Sequence, residues 1–230
     1  MISLQNVSKI YKTGEVEYHA LDKIDLEILQ GEFVVILGPS GAGKSTLLNL
    51  LGGMDRPTRG KIIINQTDIS NFTDKQLTKF RAEQVGFVFQ SYNILPTLTV
   101  EENVAIMQDI VKAPLEPKEV LDSVGLGRHL KKFPSELSGG EQQRVSIARA
   151  IIKDPAILLC DEPTGALDSK TGMQVLRLLR KQADDNTTVI VVTHNALIAE
   201  IADRIIRLKN GRVETNRRNG RVKSVEEVEW

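Results

Sequence analysis

The sequence predicts an α/β fold with a mostly parallel sheet, and three apolar segments lead to that class. Phe33–Leu37, Ala156–Cys160 and Val189–Val192 are continuous apolar runs, as expected for strands that are covered on both faces. Turns and helical segments alternate with these runs along the chain. A glycine-rich turn follows the first run and leads into a predicted helix from about Lys44 to Leu51. Because ligands of such sheets bind at the carboxyl ends of the strands, these ends are where functional residues are expected.

The remaining segments predict smaller elements around this sheet. The first 30 residues indicate strands, since apolar and acidic residues alternate over 24–28. Residues 91–136 hold four of the eight prolines and only short helical stretches, which predicts a helical subdomain within about 91–153, inserted into the core. Residues 215–230 lack an apolar period and are expected to form a polar tail after a domain over 1–214. The other expected elements are strands at Lys61–Asn65 and Val85–Gln90, a helix over Ser138–Lys153 and a hairpin over Arg204–Glu214.

The composition excludes several classes of protein. Apolar residues make up 41% of the 230 residues, which is enough for a buried core. Lys plus Arg and Asp plus Glu are 30 each, so the net charge is 0 and no strong non-specific nucleic-acid surface is expected. Cys160 is the single cysteine, which excludes an intrachain disulfide. The apolar runs are far shorter than the roughly 20 residues of a membrane span, and we expect no signal peptide.

A phosphate-binding loop is predicted after the first buried strand. Residues 38–45 match the pattern G-x-x-x-x-G-K-[ST], in which glycines let backbone N–H groups point at phosphate oxygens. The helix that follows directs the positive end of its dipole at the same place. We expect Lys44 to reach the β- and γ-phosphates and the Ser45 hydroxyl to bind Mg²⁺. The predicted nucleotide-binding residues of this loop are Gly38, Pro39, Ser40, Gly41, Ala42, Gly43, Lys44, Ser45 and Thr46.

Two adjacent acids end the second buried strand. Asp161 and Glu162 follow directly on Cys160, which we expect to be an ordinary core residue. Because neighbouring side chains at a strand end diverge, we expect Asp161 to hold Mg²⁺ and Glu162 to act as the general base or water-positioning carboxylate. Acids at a strand end are also typical of a solvated turn. The phosphate loop upstream favours the catalytic interpretation.

A second anion site is predicted at the start of the helix after residue 137. Ser138 and Glu141 have the spacing of a capping box, and the simplest interpretation is a well-capped helix with no functional role. However, the consecutive Gly139 and Gly140 expose backbone N–H groups at the positive end of that helix. A chain with two phosphate sites and one nucleotide-binding loop suggests that the second site serves the nucleotide of another subunit.

Leu137–Glu141, Leu-Ser-Gly-Gly-Glu, resembles the signature of the ABC ATPase family, and the resemblance covers about residues 1–214. It implies a P-loop NTPase (RecA-like) core, an N-terminal antiparallel β subdomain and an inserted ABC α-helical subdomain. By position, Gln90 resembles the family's glutamine that contacts Mg²⁺ and the attacking water, and His194 its switch histidine at the γ-phosphate. Asp168 resembles the D-loop residue that crosses the dimer, and Tyr11 the aromatic that stacks on adenine.

The resemblance thereby implies roles for particular residues. The implied catalytic residues are Glu162, His194, Gln90 and Lys44, and the implied metal ligands are Ser45, Gln90 and Asp161. Besides the phosphate loop and Tyr11, the implied nucleotide contacts are Ser138, Gly139, Gly140, Glu141 and Asp168. The implied activity is hydrolysis of ATP to ADP and phosphate with Mg²⁺, by two copies that meet head to tail with ATP between the phosphate loop of one and Ser138–Gly140 of the other.

Two longer segments resemble one group within the family. Phe89–Val104 and Asp161–Asp168 are similar to the macrolide-exporter, lipoprotein-release and cell-division group. Partners in that group are integral membrane permeases that move peptides, lipoproteins or drugs, or that transmit force to cell-wall enzymes. The resemblance therefore implies a position at the cytoplasmic face of the plasma membrane, held there by a permease, and no nucleic-acid partner.

Several alternatives stay open from the sequence. Ala105–Glu136 is shorter than expected for that group, which leaves the type of partner open. The tail over 215–230 is expected to be solvated, with contact to a permease or to lipid as the alternative. A non-transport ABC ATPase that acts on nucleic acid or ribosomes, and a nucleotide-binding regulator without turnover, are the rival functions.

Overall fold

The computed structural model describes residues 2–108, 110–111, 114–185 and 187–229. The strands are β1 Ile2–Thr13, β2 Val16–Ile28, β3 Phe33–Leu37, β4 Arg59–Ile64, β5 Thr67–Asp68, β6 Val85–Val88, β7 Ile157–Asp161, β8 Thr188–Thr193, β9 Arg204–Lys209 and β10 Arg212–Arg218. The α-helices are α1 Lys44–Leu51, α2 Asp74–Gln84, α3 Val100–Ala105, α4 Pro117–Ser123, α5 Gly139–Ile151 and α6 Ser169–Asp184. A 3-10 helix at Ala196–Ile201 follows β8. No helix within these described ranges is long and apolar enough to cross a bilayer.

The strands form two sheets, as the fold class predicted. The larger sheet has the order β10-β9-β3-β8-β7-β6, and its strands run parallel except for β10 at the edge. The smaller sheet has the order β2-β1-β4-β5 and is antiparallel. Strands β3, β8 and β7 are neighbours, so the segments that follow them meet at one edge of the larger sheet. The functional motifs after these strands are therefore brought together by topology.

The central strand β3 is buried because both of its faces contact a core. Phe33, Val35 and Leu37 pack on one side with residues of α5 and α6, and Val34 and Ile36 pack on the other side with residues of α1 and of the smaller sheet. Because side chains of a strand alternate between its faces, a continuous apolar run is what such a position requires. Burial of each such side chain stabilises the fold by roughly 1.5–3 kcal/mol. The apolar runs that predict the larger sheet are thus strands that lie between two hydrophobic cores, one on each face of that sheet.

The helices agree with the expected elements in part. Helix α1 has the predicted bounds, and α5 ends two residues before the predicted Lys153. Residues 91–136 contain the short helices α3 and α4, in agreement with the expected short helical stretches, while the bounds of a subdomain stay a prediction. Helices α2 and α6 lie where no element was predicted. Helix α2 begins with a capping box between Thr73 and Gln76, and α6 buries Val175, Leu179 and Ala183 at a spacing of four.

The segment after residue 214 differs from the expected solvated tail. Strand β10 continues to Arg218 in the larger sheet, across the predicted domain boundary. Val225 and Val228 are both 4% exposed and pack into the core beside α6. Glu226 pairs with Arg177 of α6 at 2.6 Å. The prediction of a solvated tail is therefore wrong for Val225 and Val228, whereas the side chains at 215–218 and at Glu226 are exposed. Two valines three positions apart bury enough apolar surface to hold a short segment, yet they give no detectable period.

Candidate functional site

The loop between β3 and α1 is shaped by its glycines. A Cβ at Gly38 would clash with the backbone oxygen of Leu208, and one at Gly43 with that of Ala20. Gly43 also has a φ of 98°, in the region that side chains with a Cβ rarely adopt. The close approach of neighbouring backbone therefore requires glycine at both positions. This geometry is what an N–H cradle for phosphate needs.

The same loop is held by its neighbours. The Gly211 N–H donates to the Ala42 oxygen at 3.1 Å, and the Tyr18 hydroxyl donates to the Gly41 oxygen at 3.3 Å. The Lys44 ammonium donates to the oxygens of Gly38 and Pro39 at 2.8 and 3.0 Å. The lysine thus lies folded over the loop, where phosphate oxygens would replace these carbonyls. Of the other predicted loop residues, Ser40 and Ser45 are exposed and Thr46 is half-buried at the start of α1.

Asp161 lies beside the loop at the end of β7. The Ser45 hydroxyl lies near enough to its carboxylate to lower the pKa of Asp161. Burial raises the pKa of Asp161 above its usual value, the neighbouring Glu162 charge raises it further, and Ser45 and Lys44 oppose this rise. A nearby cation would favour the ionised form of such a carboxylate. The Ser45 hydroxyl and the Asp161 carboxylate are oxygen ligands of the kind that Mg²⁺ prefers, so these residues fit the predicted metal.

Glu162 is positioned by the segment that follows β8. Its backbone has a φ of 48°, and its N–H donates to the Val192 oxygen at 2.9 Å. One carboxylate oxygen accepts from the His194 N–H at 3.0 Å and lies 2.8 Å from Nδ1 of the same residue. The other oxygen accepts from the Thr193 hydroxyl at 2.9 Å. An ionised carboxylate only accepts, so the contact of Glu162 with Nδ1 is a hydrogen bond in the tautomer that has its proton on Nδ1.

Two of the predicted catalytic residues, Glu162 and His194, are therefore brought into contact. The His194 side chain is 75% exposed, whereas that of Glu162 is 17% exposed. Thr193 was not predicted as part of the site, although it is buried and its hydroxyl donates a hydrogen bond to Glu162. Its only sequence signal is a hydroxyl at the end of an apolar strand, next to His194. Gln90 lies close to this group, since its side-chain amide would adjoin a Cβ placed on Gly165.

The signature residues start α5 with the predicted capping box. The Ser138 N–H and hydroxyl donate to Glu141 at 2.7 and 2.8 Å, and the Glu141 N–H donates back to the Ser138 hydroxyl at 3.4 Å. Hydrogen bonds from the Ser138 backbone hold the pKa of Glu141 below its usual value. A Cβ at Gly140 would clash with the side chain of Thr171 on α6. Glycine is therefore needed for the close contact of the two helices, in addition to any contact with an anion.

Asp168 caps the helix that Gly140 contacts. Its carboxylate accepts from the Thr171 N–H at 3.0 Å and from the Thr171 hydroxyl at 2.7 Å. The Thr171 hydroxyl and N–H thereby lower the pKa of Asp168. Within the chain, Asp168 thus has a structural role as an N-cap, and Thr171 joins it to the signature segment.

Tyr11 lies on β1 with its ring partly exposed, 39% of the residue being accessible. Its hydroxyl donates to Asp55 at 2.9 Å, and the Lys9 ammonium lies 4.9 Å from the ring centroid. Burial raises the pKa of this hydroxyl, and the hydrogen bond with Asp55 raises it further. Tyr18, which pairs with Tyr11 across β1 and β2, is 54% exposed and contacts the loop at Gly41. Two tyrosines are therefore available near the phosphate loop, of which the sequence predicted Tyr11.

Comparisons with family models and with known proteins all lead to the same family. The family described as ABC transporter matches residues 21–165. An uncharacterized ABC transporter ATP-binding protein of Thermotoga maritima is 47% identical over 96% of this chain and 96% of its own. The macrolide export ATP-binding/permease protein MacB of Campylobacter fetus is 47% identical over 95% of this chain but 35% of its own, so the chain spans about a third of that relative.

The most informative solved structures are those of a cassette from Methanocaldococcus jannaschii, MJ0796. A dimeric structure of a post-hydrolysis state of MJ0796, bound to ADP and Pi, has a TM-score of 0.87 and 44% identity. It covers 95% of this chain and 98% of the cassette. A second dimeric MJ0796 structure has a TM-score of 0.86 at the same identity and coverage.

Proposed function

The chain belongs to the ABC transporter family as an ABC-type ATPase, and from this membership we propose that two copies of it close around ATP to drive an integral membrane permease. The observation that carries the hydrolytic part of the proposal is the contact of Glu162 with His194 beside the phosphate loop. A carboxylate at this place can orient and deprotonate water, and a histidine can contact a bound γ-phosphate, so both support hydrolysis. A protein that only sensed nucleotide would need neither of them.

The residues divide the work of hydrolysis. Backbone N–H groups of residues 38–45 and the start of α1 bind the phosphates, and Lys44 leaves the oxygens of Gly38 and Pro39 for the β- and γ-phosphates. Glu162 orients and deprotonates the attacking water, and His194 contacts the γ-phosphate through its exposed ring. The phosphate donors are preorganised, so the catalysis is mainly positioning and electrostatic stabilisation.

A bound Mg²⁺ would neutralise charge on the phosphate oxygens. Ser45 and Asp161 would hold this ion, and Gln90 would complete its surroundings. The metal site is proposed from the oxygen donors of these side chains.

The shared ATP site is proposed from the placement of the signature segment. Gly139 and Gly140 start α5 and lie against Tyr92 and Thr171, whereas the phosphate loop lies against Ala20 and Leu208. The two anion-binding segments thus have different neighbours in one chain, and a second copy placed head to tail would bring them together. The MJ0796 cassette, which is dimeric and holds ADP and Pi, supports this arrangement. Tyr11 is proposed to stack on the adenine, and Asp168 to face the second copy.

The partner is proposed to be an exporter-type or force-transmitting permease. The similarity to the MacB protein of Campylobacter fetus, in which an ATP-binding and a permease part share one chain, supports this class. The cargo would be a peptide, lipoprotein or drug. In this arrangement the chain lies at the cytoplasmic face of the plasma membrane and is held there by the permease.

Light scattering of Glu162→Gln with ATP and Mg²⁺ tests the proposal. We expect a stable dimer, because ATP stays bound when the water is no longer activated. The matched control is the double variant with Lys44→Ala, which we expect to stay monomeric because ATP is not bound productively. A monomer at saturating ATP in Glu162→Gln would refute the shared site. The loss of phosphate release in the same single variant separately tests the role of Glu162 in hydrolysis.

A further inference from the structure

A basic cavity lies outside the nucleotide site, between the β9–β10 hairpin and the 3-10 helix at Ala196–Ile201. Its volume is about 360 Å³, and its lining includes the side chains of Arg207, Arg217, Arg221 and Lys223. Glu200 is the acidic residue of the lining. With four cations and one acid, the lining carries a net charge of +3 from these groups. The nearly neutral chain thus concentrates positive charge at one concave place.

Strand register brings two of these arginines to the same face of the sheet. Arg207 pairs with Thr215 and Arg217 pairs with Ile205, so both arginines share the face on which Ile205 enters the core. Arg218, one position further along β10, pairs with Arg204 on the opposite face, where both approach Glu32. Because side chains alternate along β10, Arg217 faces the cavity, whereas Arg218 lies on the other face near the Glu32 carboxylate.

The cavity arginines have no acidic partner among the described residues. Lys223 donates to Glu200 at 2.6 Å, so the one acid of the lining is already paired. The side chains of Arg207, Arg217 and Arg221 make no ion pair or hydrogen bond with any residue that the structure describes. Other arginines of the same fold are paired, for example Arg212 with Asp22 at 2.6 Å. These three side chains are exposed, so solvent screens their mutual repulsion, and an anion placed between them would be attracted by all three charges.

We propose that this cavity binds a phosphate-bearing anion at a site separate from the ATP site. Arginine is suited to this task because its planar guanidinium donates two parallel hydrogen bonds to phosphate oxygens. The volume is at the lower end of the roughly 300–1,000 Å³ of ligand cavities, so it fits a group of the size of a diphosphate. The phosphate belongs either to a free anion or to the headgroup of an anionic lipid.

The place of the cavity connects it with the ATPase site. Leu37 lies in its lining and precedes the phosphate loop, and Ala196 lies in its lining two residues after His194. An anion between Arg207 and the 3-10 helix would therefore contact the segments that carry both motifs. Occupancy of the cavity is expected to change the rate of ATP hydrolysis.

Isothermal calorimetry with inorganic pyrophosphate tests the site. The measurements use the Lys44→Ala chain, in which the phosphate loop is weakened as a competing site. We expect pyrophosphate to bind and the Kd to rise at least tenfold in Arg217→Gln/Arg221→Gln and also in Arg207→Gln, which changes a different strand. Arg218→Gln is the matched control and is expected to leave the Kd unchanged. Circular dichroism of each variant checks that it is folded.

Two outcomes distinguish the sources of the phosphate. Sedimentation with phosphatidylcholine vesicles that contain phosphatidic acid, lost in the double variant, would identify a lipid headgroup. Pyrophosphate binding that depends on the arginines, without such sedimentation, would identify a free anion. An equal Kd for pyrophosphate in the parent chain and in both cavity variants would overturn the proposal.

Discussion

Replacement of Lys153 by methionine is expected to stabilise the fold at neutral pH. Lys153 follows α5, and its ammonium donates to the Arg81 oxygen at 2.8 Å. Among the ion pairs of the described residues, none involves Lys153, so a half-buried charge is compensated by one carbonyl. Burial lowers the pKa of this lysine from 10.5 to about 8. The folded state therefore binds the proton less tightly than the unfolded state does.

The magnitude follows from the difference between these two pKa values. At 1.36 kcal/mol for each pKa unit, a fall from 10.5 to about 8 corresponds to a penalty of about 3 kcal/mol for the charged form. Solvent reaches part of the side chain, so we expect about 1–2 kcal/mol. Below pH 8 both states are charged and the penalty is complete. Between pH 8 and 10.5 the folded state loses its proton first, so stability rises with pH, and above 10.5 the penalty is gone.

Urea unfolding of wild type and Lys153→Met, followed by circular dichroism from pH 7 to 10 without nucleotide, measures this effect. The methionine variant is expected to be more stable at pH 7, and its advantage is expected to fall by roughly half or more at pH 10. Lys75→Met, which changes an exposed lysine of α2, is the control and is expected to have little effect at either pH. An advantage that does not change with pH would show that added apolar contact, and not the buried charge, is responsible.

Two further substitutions probe the nucleotide site. Thr193→Val removes the hydroxyl that donates to Glu162, and a hydrogen bond to a charged group contributes roughly 1.5–3 kcal/mol, so kcat for phosphate release is expected to fall roughly tenfold or more with little change in KM. Thr193→Ser should restore kcat, and an unchanged kcat in Thr193→Val would exclude this positioning role. Gly43→Ala places a Cβ against the Ala20 oxygen at a φ of 98°, and the affinity for a fluorescent ADP analogue is expected to fall at least tenfold. Gly14→Ala, at a φ of 62° in open space, is the control, and equal ADP affinities in the two variants would contradict the steric argument.

The sequence predicted those parts of the fold whose side chains carry a continuous signal. Strands β3, β7 and β8 were found to within a residue, because a strand between two cores needs apolar residues at successive positions. Helix α6 was missed although Val175, Leu179 and Ala183 repeat every four residues, since basic residues interrupt the pattern. Val225 and Val228 carry no period at all, and their burial depends on the surface that α6 and the end of the sheet provide. Elements that are stabilised by distant contacts are thus the ones that local patterns do not reveal.

The site was predictable to the extent that its residues follow strand ends or glycines. The part played by Thr193 could not be predicted, because it depends on the left-handed backbone of Glu162, which turns the carboxylate toward the end of β8. The contact of Thr171 with both Asp168 and Gly140 was equally hidden, since it joins two motifs that are far apart in the chain. We expect this contact to have a functional consequence. If a second copy supplies the signature glycines to the first copy's ATP, any shift of α5 that moves Gly140 presses on Thr171 and so on the cap at Asp168. Asp168, which is proposed to face the partner, is therefore in contact through Thr171 with Gly140, which is proposed to bind the partner's nucleotide.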